Sequence, residues 1–162
     1  LDPVRCAQMA ENICAGLCEA YPDQTEAFEV NLEKLETVYA DVLAYGQEQL
    51  KALSCRKLVT FHDGFSYFAD AFDLTVEAAM EVEHGSEPSA KELEAVIAIV
   101  KDHAIPAVFS EINGESGTAE TVAAETGVRV FALDMGMGGE DETVPCGQII
   151  RKNIDVIKEA LG

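Results

Sequence analysis

The sequence predicts an α/β fold: a Rossmann-like lobe with a mostly parallel four-stranded sheet flanked by helices, preceded by one helix and one long helix. Two observations carry this. From residue 57 onward short apolar runs alternate with amphipathic stretches, which implies βαβ crossovers. Before residue 54 the only rhythm is helical, and it continues for too long to close on itself in a small domain.

Each element has its own signal. Asp2-Pro3 places a carboxylate before a proline, a strong helix start, and Cys6, Met9, Ile13 and Leu17 carry that helix to about Ala20. Tyr21-Pro22 breaks it. Asp23-x-x-Glu26 reads as a capping box opening the second helix. Its apolar positions Phe28, Leu32, Leu35, Tyr39 and Val42 follow a heptad-like stripe, and from Asp23 to Leu53 it would span about 45 Å. Strands are expected at 57–61, 74–80, 106–110 and 128–133, and helices at 64–72, 89–103, 116–126 and 144–160. Ser89-x-x-Glu92 is another capping box, and Gly127 suits the position just past a helix end.

Composition narrows function. Thirty acidic against eleven basic residues give a net charge of −19, which argues against a nucleic-acid partner and disfavours an anionic membrane surface. No apolar run approaches bilayer-spanning length. The five cysteines form no C-x-x-C; Cys14 and Cys18 share a helix face, and a Cys55–Cys146 disulfide is compatible with the sequence. "DMGMGG" (Asp134 to Gly139) is glycine-rich without a basic residue to meet phosphate, and no serine has nucleophile-elbow context.

In open parallel sheets ligands gather at the carboxyl ends of the strands. Those ends carry His62-Asp63, the Glu81–Glu87 segment with His84, Ser110-Glu111 and Asp134. One imidazole and several carboxylates on one edge suit a divalent metal or a metal-dependent hydrolase. Each also has a plain role available. His62 could cap the following helix, Asp63 is expected to be the N-cap of helix 64–72, His84 reads as a solvated loop residue, and His103 suits a helix C-terminus. A third possibility is a helix-mediated interaction module built on the long helix.

The same residues carry a resemblance. "FHDGFSYFADAFDL" (Phe61 to Leu74), "EPSAKELEAVIAIVKDHAIPAVFSE" (Glu87 to Glu111), "AETVAAETGVRVFALD" (Ala119 to Asp134) and "RKNIDVIKEAL" (Arg151 to Leu161) resemble, in register, the zinc- and manganese-binding solute receptors of bacterial ABC uptake transporters. The resemblance implies a non-enzymatic, monomeric receptor outside the cytoplasmic membrane, in the periplasm or at the cell surface with or without a lipid anchor. It would hand its ion to a membrane ABC permease. It further implies two lobes joined by a rigid helix, so that 1–54 would be a helical segment containing the connecting helix (about 23–53). Residues 55–162 would then be the C-terminal metal-binding lobe.

The family's F-H-D histidine falls on His62 and its late aspartate on Asp134, making these the implied metal ligands. Asp63 and Glu111 would serve as supporting groups. A histidine at the first of these positions goes with zinc rather than manganese, the alternative ion. Leu1-Asp2-Pro3 resembles the end of the family's H-x-W-[LM]-D-P stretch, so the chain is expected to carry half of the site. The loop "DMGMGG" departs from the family's D-[PS]-[LI]-[GA].

Overall fold

The computed structural model describes residues 1–80, 88–114, 116–137 and 145–162. Two helices come first, α1 (Pro3–Ala20) and α2 (Thr25–Gln49), joined through a single 3-10 turn at Pro22–Gln24. Then follow β1 (Lys57–Thr60), α3 (Ser66–Ala71), β2 (Thr75–Ala79), α4 (Ala90–Asp102), β3 (Ala107–Glu111), α5 (Gly117–Thr126), β4 (Arg129–Leu133) and α6 (Cys146–Leu161). The strands form one four-stranded sheet in the order β2-β1-β3-β4, parallel at every pairing. The expected α/β class and strand count are therefore correct.

Side-chain alternation along the strands sorts the core into two layers. Leu58, Ala107, Phe109 and Leu133 face Phe68 and Phe72 at α3 and Ile150, Ile154 and Ile157 of α6, with Tyr39 and Val42 of α2 in the same cluster. Their sequence neighbours Val59 and Val108 face the opposite side, onto Val96 and Val100 of α4 and Ala119 and Val122 of α5. The far half of α2 thus shares the sheet's own core.

Local signals succeed where their partners are local. Asp2 accepts from the backbone N–H groups of Val4 and Arg5 at 2.9 and 3.2 Å ahead of Pro3. Ser89 and Glu92 form the reciprocal box, and Gly127 adopts φ 76° at the end of α5, a conformation that favours glycine. His103 ends α4 as expected.

Four expectations need correction. The box at Asp23 does not form, because Pro22 draws Asp23 into the 3-10 turn; α2 starts at Thr25 with no side-chain cap. It also stops at Gln49 rather than Leu53, so its 25 residues span about 37 Å. Asp63 caps nothing, since α3 begins at Ser66 with the buried Phe65 before it, and Asp63 instead accepts from the Ser66 hydroxyl at 3.3 Å. In α1 the stripe Met9, Ile13, Leu17 is exposed, and the buried positions are Pro3 and Cys14.

One glycine fixes how α2 seats on α6. A Cβ on Gly46 would lie 2.8 Å from both Ile154 Cδ1 and Phe72 Cδ1, and closer still to Phe72 Cε1. Helix propensity alone would make Gly46→Ala stabilising by about 1 kcal/mol. Both neighbours are buried and fully packed, so overpacking outweighs that gain. Gly46→Ala is expected to lower unfolding free energy by about 1–2 kcal/mol in urea titration.

Candidate functional site

The sheet delivers both candidate ligands to one edge. His62 follows β1 and Asp134 follows β4, at the carboxyl ends of parallel strands separated only by β3. Neighbouring strands are about 4.8 Å apart, so the two positions start on the order of 10 Å from one another. Their loops touch. A Cβ on Gly64 would run into Met135 Cε, and Met135 Sδ would lie 3.0 Å from it. Glycine at 64 lets the 62–64 turn close against the loop that carries Asp134.

His62 is half-buried, and its Nδ1 is buried with no hydrogen-bond partner among the described residues. A buried polar atom without a partner costs about 1–3 kcal/mol, so its persistence asks for a reason. The backbone around it is held firmly: Thr60 Oγ1 donates to the His62 carbonyl at 2.9 Å, and Phe61 N–H donates to the Phe109 carbonyl at 3.0 Å. Position is fixed while Nδ1 is left unsatisfied among the described residues.

Asp134 has the opposite character. Asn153 of α6, 2% exposed, accepts from the Asp134 N–H at 2.9 Å and donates to the Asp134 carbonyl at 2.7 Å. One carboxylate oxygen, Oδ1, accepts from the Gly136 N–H at 2.7 Å. Gly136 itself takes φ 68°, which a side chain would resist. The amide clamp and the turn together orient the carboxylate. Sequence reasoning did not single out Asn153, although the signal exists: it is a polar residue on the apolar stripe Ile150, Ile154, Ile157, Leu161.

The remaining strand-end residues do not join them. Glu111 is the last residue of β3 and its carbonyl accepts from Gly114 N–H; neither it nor Asp63 is bonded to His62. His103 lies instead beside Lys57 Nζ, at the amino end of β1, and 3.8 Å from Glu77 Oε1. A hydrogen bond from Lys57, 2.8 Å away, holds the Glu77 carboxyl below its ordinary range. The Glu81–Glu87 segment with His84, and Gly138 and Gly139 of the glycine run, lie outside the described residues. Among the described residues, no three His, Cys, Asp or Glu side chains converge as a metal cage.

The cysteines are all free thiols. Cys55 Sγ faces the Lys57 carbonyl at 3.9 Å, whereas Cys146 lies by Cys6 and Tyr39, so the Cys55–Cys146 pairing is not made. Burial, with the two thiols beside it, pushes the Tyr39 hydroxyl up to about 12.

An oriented carboxylate and an imidazole whose Nδ1 lacks a partner among the described residues, on the carboxyl edge of a parallel sheet, are what a divalent-cation receptor would supply. The family described as ZnuA, zinc-uptake complex component A periplasmic, matches residues 1–160. The chain belongs to that family. It is 31% identical over 166 residues to the zinc-binding protein AdcA of Streptococcus pyogenes serotype M6, covering 98% of this chain and 32% of AdcA. It is 26% identical over 165 residues to the high-affinity zinc uptake system protein ZnuA of Bacillus subtilis, covering 99% of this chain and 52% of that protein. A crystal structure of ZnuA superposes with a TM-score of 0.85 at 27% identity, covering 99% of this chain and 58% of the other. The chain thus spans between a third and about half of the length of these curated relatives.

Proposed function

We propose that the chain is the C-terminal portion of a zinc-binding solute receptor. The receptor captures the ion outside the cytoplasmic membrane and delivers it to an ABC permease. The observation that carries this reading is the pairing of His62, whose buried Nδ1 lacks a partner among the described residues, with a carboxylate locked in place by Asn153 and Gly136 on the same edge. His62 and Asp134 are assigned as zinc ligands from this lobe, with the others to come from chain outside it. Imidazole and a single carboxylate suit zinc better than manganese, which prefers oxygen donors.

The divisions follow the same reading: 1–54 as the helical segment with the connecting helix, and 55–162 as the metal-binding lobe. The net charge of −19 favours cation approach and disfavours nucleic acid. The family's role in zinc uptake supports a transport function rather than catalysis.

The test is competition of the full-length protein against a chromophoric chelator, with zinc and then manganese. One equivalent of zinc bound at least about tenfold more tightly than manganese is expected. Equal affinity, or preference for manganese, would overturn the zinc assignment. Zinc binding that is unchanged in Asp134→Ala would remove Asp134 from the site.

A further inference from the structure

A second pair of metal-binding side chains lies well away from His62 and Asp134 in sequence, on α1. Cys14 and Cys18 are four residues apart on that helix, and their sulfur atoms are 3.9 Å from each other. Two ligands at this spacing share one helix face a turn apart, the arrangement by which paired helical histidines hold zinc. In a tetrahedral zinc–thiolate site, two bonds of about 2.3 Å place the sulfurs about 3.8 Å apart. The pair therefore has the bite of a chelate without any rotation.

Its surroundings point the same way. Cys14 is 8% exposed and is, with Pro3, one of the two buried residues of α1, while Cys18 is only half-buried and gives access. Glu29 and Glu36 of α2 are near enough for their charge to reach Cys14. Burial, the Cys18 thiol and these carboxylates all raise the Cys14 thiol above its ordinary range. Cys14 is thereby kept protonated, and an arriving cation must displace its proton. The same carboxylates favour the approach of that cation. The last turn of α1 has no basic residue to oppose it.

We propose that Cys14 and Cys18 form a bidentate site for a thiophilic divalent cation of the zinc and cadmium class, independent of the His62 edge. Binding forms two metal–sulfur bonds and releases the two thiol protons to solvent; no electron is transferred. Affinity at this site consequently rises with pH.

The experiment titrates cadmium(II) into the full-length protein, reduced and carrying His62→Ala, and follows thiolate-to-metal charge-transfer absorption. Sulfur ligation gives this band, whereas imidazole and carboxylate ligation does not. One equivalent is expected to develop it, and Cys14→Ser or Cys18→Ser should each weaken cadmium binding by about tenfold or more and remove most of the band. Cys55→Ser should leave it intact. Circular dichroism confirms the helices of each variant, and the half-exposed Cys18 provides a readout should the Cys14 change perturb packing. No band in the reduced protein, or a band unchanged in Cys18→Ser, overturns the proposal.

Discussion

His62→Ala is expected to weaken zinc binding by the full-length protein by about 100-fold or more while leaving the metal-free fold nearly as stable as before. The affinity term follows from the ligand role proposed for His62, since even supporting groups one step further out are worth 10–100-fold. A factor of about 100 corresponds to about 2.7 kcal/mol of binding free energy. The stability term follows from what His62 does not do. Its Nδ1 has no partner among the described residues, so truncation breaks no hydrogen bond there. The bond that does fix the segment runs from Thr60 Oγ1 to the His62 backbone carbonyl, which alanine keeps. The metal-free variant should unfold within about 0.5 kcal/mol of the parent in urea titration.

This dissociation separates a ligand from a structural histidine. A core histidine would give the reverse pattern, a destabilised apoprotein with zinc affinity intact. Isothermal titration on the variant, paired with the urea curve, reads both quantities. Unchanged zinc affinity would sink the assignment of His62.

How much of this was legible in the sequence depends on how far apart the interacting groups are. Asp2-Pro3, the Ser89/Glu92 box and Gly127 were readable because cap and capped residue lie within four positions. The same rule misled at Asp23, where Pro22 set up a 3-10 turn, and at Asp63, where Phe65 had to reach the core before α3 could start. The stripe Met9, Ile13, Leu17 has helical spacing, yet it is the side of α1 carrying Cys14 that is buried. Periodicity identifies an apolar face but not the neighbour that will cover it.

The site shows the same division. His62 and Asp134 could be placed on one edge because parallel strands put all their carboxyl ends together. The contact between Gly64 and Met135 could not be foreseen, since it joins loops 71 residues apart with no shared pattern. Nor could the clamp on Asp134 be derived from strand ends, because its source is a helix side chain 19 residues onward.

That clamp leads to the second large effect. Asn153→Ala is expected to destabilise the protein by about 3 kcal/mol, because two partly buried backbone groups of Asp134 lose their partners at once. For a chain of this size the loss corresponds to a fall in melting temperature of about 10 °C. The same change should weaken zinc binding, since among the described residues the Asp134 carboxylate is then held through Gly136 N–H alone. Loss of stability and loss of affinity must be told apart. Ile157→Ala serves this purpose: Ile157 is fully buried in the same helix, and its truncation costs a similar 2–5 kcal/mol. Ile157 makes no hydrogen bond to the Asp134 loop, so its variant should melt early and still bind zinc with parental affinity below its transition. If both variants lose affinity in proportion to their instability, Asn153 is only a packing residue of α6. If Asn153→Ala alone loses affinity, the buried amide positions the carboxylate, and the stability of the fold and the geometry of the proposed ligand are set by one side chain.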